Sequence, residues 1–149
     1  DITCDCGGRG CFGTLISSER VLKETIDSFS DHKDSLIFKN KNINEIEVQD
    51  IFDASNKEDS FARQIMDQII RWFAVGIHNI YLMYDPDVIV LQGIYTGAGD
   101  YFLKNLKKQV NEVSLLNITD SFKIEYSQVG NKAALLGAAA YICNEFLRI

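Results

Sequence analysis

The sequence predicts an α/β fold that is rich in helix and contains a small parallel sheet. Two short segments, Val88–Leu91 and Phe122–Tyr126, have the apolar composition and pattern of strands. Helical periodicity from Leu103 to Val113 separates them, and a second helical pattern follows from about Lys132 to Phe146. This β-α-β-α order is typical of parallel strands joined by a right-handed crossover. Because Val88–Leu91 is continuously apolar, we expect that strand to be covered on both faces.

The first half of the chain is predicted to be mainly helical. Apolar residues recur at helical spacing from Phe12 to Phe29 and predict one amphipathic helix. Residues 30–58 are polar and irregular, and we expect loops there with one short helix around Val48–Ala54. A long helix should then run from Asp59 or Ser60 to about Tyr84. Its apolar residues fill more than one face, so we expect it to be mostly buried.

Length and composition exclude several classes of protein. The chain has 149 residues and a formal charge of −6, and its lysines and arginines form no basic stripe, so we expect no DNA-binding surface within it. No apolar run is long enough to span a bilayer. No repeat or second boundary is evident, which predicts a single domain over residues 1–149. The chain opens at Asp1 rather than at methionine, and we expect it to be an excised fragment.

Three of the four cysteines crowd into a glycine-rich segment. The segment reads Cys4-Asp5-Cys6-Gly7-Gly8-Arg9-Gly10-Cys11. Zinc prefers thiolate and imidazole ligands in a tetrahedral shell. Cys4 and Cys6 can face one ion only if the backbone curls. Gly7, Gly8 and Gly10 permit that curl, because glycine reaches dihedral angles that other residues avoid. We therefore predict that Cys4, Cys6 and Cys11 bind a structural zinc ion. Buried free cysteines in a glycine-rich turn are the alternative.

This segment resembles the signature C-x-C-G-x-x-G-C of the ROK family, which comprises bacterial sugar kinases and sugar-responsive repressors. Every fixed position of the signature is matched. In addition, residues 85–93 resemble the family's strand before a glycine turn, and residues 130–139 resemble its closing helix. The resemblance covers essentially the whole chain and implies the actin-like, ribonuclease-H-like ATPase fold. Residues 1–149 would then be the C-terminal part of a ROK domain, with the phosphate-binding turn and the catalytic aspartate of the family upstream.

The resemblance also implies a fourth zinc ligand, a histidine at a position that precedes Asp1. The only histidines of the chain are His32 and His78. His32 lies in the predicted polar loop and could approach the site, whereas His78 lies on the long predicted helix. From the spacing alone we expect each to be an ordinary histidine rather than a ligand.

Two departures from the family pattern bear on function. Family members usually carry a glutamate two residues after the third cysteine, where it contacts sugar hydroxyls, but this chain has Gly13. In family kinases the first strand motif usually ends in two glycines beside the nucleotide, but here Gln92 precedes Gly93. Both departures weaken the kinase interpretation. We assign no catalytic or nucleotide-binding residue in this chain.

The predicted function is therefore the effector-binding and oligomerisation portion of a transcriptional regulator, most like a xylose-repressor-type protein. A sugar effector is the expected partner, and DNA would be bound only through an upstream domain. Few, unevenly placed cysteines indicate a cytoplasmic, reducing compartment rather than a disulfide scaffold. The C-terminal portion of an ATP-dependent ROK sugar kinase is the alternative function. A zinc-stabilised scaffold that has lost ligand binding is a third interpretation.

Self-association is also expected. Two strands with free edges and several apolar helices are poorly protected alone, so a second copy of the chain would most simply cover them. The long helix is a candidate for the contact because Phe61, Trp72 and Phe73 offer large apolar area. The alternative is that these three side chains pack entirely within one subunit.

Overall fold

The computed structural model describes residues 2–39, 41–114 and 121–147, except for the side chain of Asn131. Within these residues the regular structure consists of six α-helices and two strands. In chain order they are α1 (Phe12–Leu15), α2 (Ser18–Asp27), α3 (Val48–Asn56), α4 (Ser60–Tyr84), β1 (Val88–Leu91), α5 (Gly99–Val113), β2 (Lys123–Tyr126) and α6 (Ala133–Leu147). No helix in this part of the chain combines the length and apolar character needed to cross a membrane.

The predicted small parallel sheet is present. β1 and β2 pair in parallel, from Val88 opposite Lys123 to Leu91 opposite Tyr126. The chain passes through α5 between the two strands, which confirms the predicted β-α-β-α order. Residues 93–99, the glycine turn predicted after β1, contain a 3₁₀ turn at Ile94–Gly97, and α5 begins at Gly99.

The prediction of one helix from Phe12 to Phe29 was wrong. The segment forms two helices, and Ser17 separates them with extended backbone angles. The Ser17 hydroxyl accepts a hydrogen bond from the Arg20 backbone N–H at 3.4 Å, which is the usual role of a serine at a helix N-cap. A 3₁₀ turn at Phe29–Asp31 then follows α2. The apolar stripe did not reveal this break, because its spacing continues across both helices and carries no information about the Ser17 cap.

The core lies where α4 crosses α3 and α5. The side chains that are almost fully enclosed there include Ile51, Phe52, Ala62, Met66, Ile69, Ile70, Phe102, Leu106 and Val110. α4 starts as predicted, since the Asp59 carboxylate accepts a hydrogen bond from the Ala62 N–H at 2.8 Å. Phe61 and Phe73 pack on rings of the same chain, Phe61 on Phe38 and Phe73 on Phe102.

Three elements expose more apolar surface than predicted. Val90 of β1 is 55% exposed, so this strand is not covered on both faces. The prediction that α4 is mostly buried was wrong, because the helix is enclosed along one face only. Trp72 and Val75 are each 40% exposed, and Met83 near its end is 72% exposed. α6 has no buried residue although its composition is strongly apolar. Strands of parallel sheets are normally enclosed, so these surfaces point to packing beyond this chain.

Side chains of α3 hold the glycine turn in place. The Asn56 amide donates to the Ala98 carbonyl at 2.9 Å, and its oxygen accepts from the Tyr101 N–H at 3.1 Å. Gln49 donates to the Gly97 carbonyl at 3.3 Å. The end of β1 and the start of α5 are therefore fixed to the helical core.

Substituting Gly93 should destabilise the chain through its backbone conformation alone. Gly93 has φ +87° and ψ −156°, a region that is essentially restricted to glycine, and an added Cβ would meet no atom within 4 Å. We expect Gly93→Ala to lower the free energy of unfolding by about 1–3 kcal/mol, measured by urea denaturation. Gly137→Ala, in exposed α6, is the matched control and should not destabilise. Equal stability of Gly93→Ala and the wild type would contradict the expectation.

Candidate metal centre

The cysteine segment forms a tight hairpin. Thr3 and Arg9 make an antiparallel bridge, and the Gly10 N–H donates to the Ile2 carbonyl at 2.8 Å. At the tip, the Cys4 N–H donates to the Gly8 carbonyl and the Gly7 N–H donates to the Cys4 carbonyl, both at 2.9 Å. The backbone therefore curls as the sequence predicted.

The three glycines of the hairpin serve two different purposes. Gly7 and Gly10 have φ of +83° and +65°, the left-handed region that glycine enters without strain. The φ of Gly8 is not positive, so the prediction that Gly8 is needed for its backbone conformation was wrong. A Cβ on Gly8 would instead lie 3.3 Å from the sulfurs of both Cys6 and Cys11. A side chain at position 8 would thus crowd the two thiols.

The hairpin brings the three predicted ligands together. The sulfurs of Cys4, Cys6 and Cys11 all lie within 4.8 Å of one another, and those of Cys6 and Cys11 are 3.5 Å apart. Thiolates at the corners of a zinc tetrahedron, with Zn–S bonds of about 2.3 Å, are separated by about 3.8 Å. The cluster therefore has the size and donor type of a zinc site, with three ligands from the described residues.

Neighbouring groups shift the pKa values of two of the thiols in opposite directions. The Thr14 hydroxyl, followed by the backbone and thiol of Cys6, lowers the pKa of Cys4 to about 7. Hydrogen bonding with Cys6 and then with Cys4 raises the pKa of Cys11 to about 11. The cluster thus releases its first proton easily and holds another one strongly. A divalent cation would remove the repulsion that opposes full deprotonation.

Neither histidine belongs to the cluster of possible metal ligands found among the described residues. The His32 ring stacks on Phe61, with centroids 3.7 Å apart and planes 11° from parallel. His78 lies on α4, and its Nδ1 is buried without a hydrogen-bond partner in the described part of the chain.

The short helix α1 continues directly from the third cysteine and is held by side chains from outside the hairpin. Cys11 is its N-cap residue, and the Cys11 carbonyl accepts from the Leu15 N–H at 3.0 Å. Arg20 donates from Nε to the Thr14 carbonyl at 3.0 Å and from Nη2 to the Leu15 carbonyl at 2.6 Å. The Tyr95 hydroxyl donates to the Ile16 carbonyl at 2.6 Å. Sequence reasoning missed these contacts.

The position that the family pattern assigns to sugar recognition lies beside the cysteines. Gly13 is exposed on α1, and an added Cβ would meet no atom within 4 Å. It lines an open cavity of about 530 Å³ together with Cys4, Cys11, Glu19 and Lys23. Gln92, the other departure, is exposed at the end of β1.

Comparison with known proteins gives one family and two kinds of relative. The family model described as the ROK family matches residues 1–145. A glucokinase from Halalkalibacterium halodurans is 27% identical over 135 residues, which are 90% of this chain and 41% of that protein. A xylose repressor from Caldicellulosiruptor bescii is 22% identical over 147 residues, 99% of this chain and 37% of that protein. The chain thus spans less than half the length of these relatives.

A solved structure confirms the predicted fold. The ROK family glucokinase from Streptomyces griseus, in complex with glucose and AMPPNP, matches with a TM-score of 0.79 at 20% sequence identity. The match covers 94% of this chain and 46% of that one. The helix-rich arrangement with its small parallel sheet is accordingly part of an actin-like domain. With the family model matching almost every residue, this chain belongs to the ROK family.

Proposed function

We propose that this chain is the effector-binding and oligomerisation portion of a ROK-family transcriptional regulator, most like the xylose repressors, with a structural zinc ion on Cys4, Cys6 and Cys11. Residues 1–149 would be one domain, the C-terminal part of the ROK domain. The relatives include both repressors and glucokinases. The observation that favours the regulator is the glycine at position 13.

Gly13 offers no side chain where the family's sugar-binding glutamate is expected. Packing does not impose this choice, because space around the missing Cβ is open and its φ is not in the left-handed region. A glutamate would fit, so a sugar-contacting group has been omitted at a position that can hold one. This favours a protein whose ligand recognition differs from that of the glucokinases.

Gln92, which follows β1, is a second departure from the kinase pattern and supports the same proposal. It precedes Gly93, whose positive φ starts the turn into α5. Where the family's kinases place a second glycine beside the nucleotide, this exposed glutamine adds a long polar side chain. A ROK sugar kinase remains the alternative function.

The proposed zinc ion rests on the donor set. Three thiolates gathered by a glycine-rich hairpin are ligands that zinc prefers, and a structural site closes with a fourth. We propose an upstream histidine for that position, as the family pattern implies. Such an ion would fix the entry into α1. Free thiols of this kind fit the reducing cytoplasm, where we place the protein.

We expect the chain, purified without chelators, to carry zinc, measured by elemental analysis. Its occupancy should be lower than in a protein that also supplies the upstream histidine. Substituting any one of Cys4, Cys6 or Cys11 by serine should lower the zinc content strongly, because two thiolates remain. Cys143→Ser is the matched control, since Cys143 lies exposed on α6. Reduced protein with less than about a tenth of an equivalent would argue against the site.

Alkylation provides a check on the same site. In metal-free protein at pH 7.5, iodoacetamide should modify Cys4 faster than Cys11, because Cys4, with a pKa of about 7, is largely thiolate there and Cys11, with a pKa of about 11, is not. Zinc should protect both residues and leave Cys143 reactive. Mass spectrometry of the peptides distinguishes these outcomes.

We expect no sugar-dependent phosphoryl transfer by this chain. Glucose and ATP should give no ADP above background in a coupled assay, in which the H. halodurans glucokinase serves as the positive control. The reason is that residues 1–149 show no phosphate-binding glycine loop and no identifiable catalytic base. In addition, Gly13 and Gln92 stand where the kinases use a sugar ligand and a nucleotide-facing glycine. ADP formation that depends on glucose would overturn the regulator proposal in favour of the kinase.

Self-association is the remaining part of the proposal. Phe61 and Phe73 are engaged within the chain, so we place the contact on the exposed apolar residues of α6 and of the end of α4. They include Met83 and Tyr84 of α4 and Leu135, Tyr141 and Phe146 of α6. We propose that a second copy of the chain covers this surface.

Light scattering at micromolar concentration should therefore report a dimer or larger assembly. The double variant Leu135→Glu with Phe146→Glu should shift it toward monomer, because charges would enter an apolar contact, while Gly137→Ala should not. A monodisperse monomer that binds no hydrophobic dye would contradict self-association.

A further inference from the structure

The C-terminal end of α1 is held by a network that reaches across the chain. The carbonyls of three consecutive residues, Thr14, Leu15 and Ile16, each accept a side-chain hydrogen bond. Arg20, from α2, makes the first two and Tyr95 makes the third. The last carbonyls of a helix lack partners within the helix, so these donors complete α1.

Tyr95 is itself rigidly placed. It is 6% exposed, and its ring contacts Phe52, Phe73 and Phe102, with centroids 4.8 to 5.7 Å away. It belongs to the 3₁₀ turn Ile94–Gly97 that follows β1. Burial raises the pKa of its hydroxyl to about 12, so the group remains a hydrogen-bond donor throughout the physiological pH range.

The metal ligand Cys11 and the acceptor Ile16 flank the same short helix. Cys11 precedes and Ile16 follows a single helical turn of four residues. Such a turn is only about 6 Å long, so a displacement at one end is felt at the other. Phe12 adds a second contact, because its ring lies so close to Gly76 of α4 that a Cβ there would be 2.8 Å from it.

We propose that Tyr95 is a positioning residue for the metal centre, and that through Ile16 and α1 it couples metal binding to the turn at residues 93–99. The inference rests on the zinc site of the proposed function. Tyr95 fixes the end of α1, and α1 then fixes Cys11 relative to the other two sulfurs. Because coupling between two sites is reciprocal, metal binding in turn tightens the 93–99 segment.

The Tyr95→Phe variant tests the proposal, since it removes the hydroxyl and keeps the packed ring. Competition with a chromophoric chelator should show zinc affinity reduced about tenfold, as for other groups that orient metal ligands. Tyr101→Phe is the matched control: its hydroxyl bonds to Asp67 at 2.8 Å, on α4 rather than α1, and zinc affinity should be unchanged. Equal affinities of Tyr95→Phe and wild type would overturn the proposal.

Two further measurements separate positioning from a general loss of stability. In metal-free protein, Tyr95→Phe should increase the alkylation rate of Cys11 several-fold and leave that of Cys143 unchanged.

Hydrogen exchange is the second measurement. Zinc should slow the exchange of the backbone amides of residues 93–97 in the wild type and in Tyr101→Phe, but not in Tyr95→Phe. Unchanged exchange in zinc-loaded wild type would refute the coupling. A wild type that binds no zinc would refute the zinc site itself, and the Cys11 alkylation rate would still report whether Tyr95 positions that residue.

Discussion

The buried face of α4 is the constraint on which the helical core of this structure depends, because α3, α5 and α1 all pack against this helix. Six of its residues are enclosed: Ala62, Met66, Ile69, Ile70, Ala74 and Ile77. These residues share one buried cluster with Phe52 of α3 and Phe102 of α5, both of which are fully enclosed. α1 also meets this helix at Gly76, where the Phe12 ring lies so close that an added Cβ would force it to move. The cysteine hairpin is thus anchored to the core through α1.

The candidate metal centre needs this anchor because the hairpin itself encloses little apolar surface. Within the described residues 2–15, Leu15 is the one that is buried, and the rest of the segment is half-buried or exposed. Backbone hydrogen bonds at the tip and the stem give it shape, but each contributes only about 1 kcal/mol net. A small segment without its own core is the situation in which a structural metal contributes folding free energy directly. The spacing of the thiols and the small amount of buried apolar surface around them therefore both favour a structural role for a bound metal ion.

Local patterns determined how much of this molecule was predictable from sequence. The cysteine cluster, the short strands and the start of α4 were predicted because each depends on residues that are close in sequence. The helix proposed for Phe12–Phe29 failed, since an apolar stripe carries no information about the Ser17 cap. The exposure of Val90 was missed because apolar composition indicates that a strand is buried in its final environment. It does not indicate which part of the protein, or which partner, buries it. The Tyr95–Ile16 bond joins residues 79 positions apart and has no local signal.

Two glycines near the cysteines, Gly8 in the hairpin and Gly13 on α1, differ in what surrounds them. Gly8 leaves room for the thiol cluster, because a larger residue would press on the sulfurs of Cys6 and Cys11. Nothing comparable restricts Gly13, which lies only two residues after Cys11 and faces open space. The sequence therefore keeps the geometry that the three thiols require and gives up a side chain that could have contacted a sugar. If the proposed zinc ion binds, it can hold α1 against α4 whatever residue occupies position 13, so ligand recognition could change in this chain without loss of the thiol cluster.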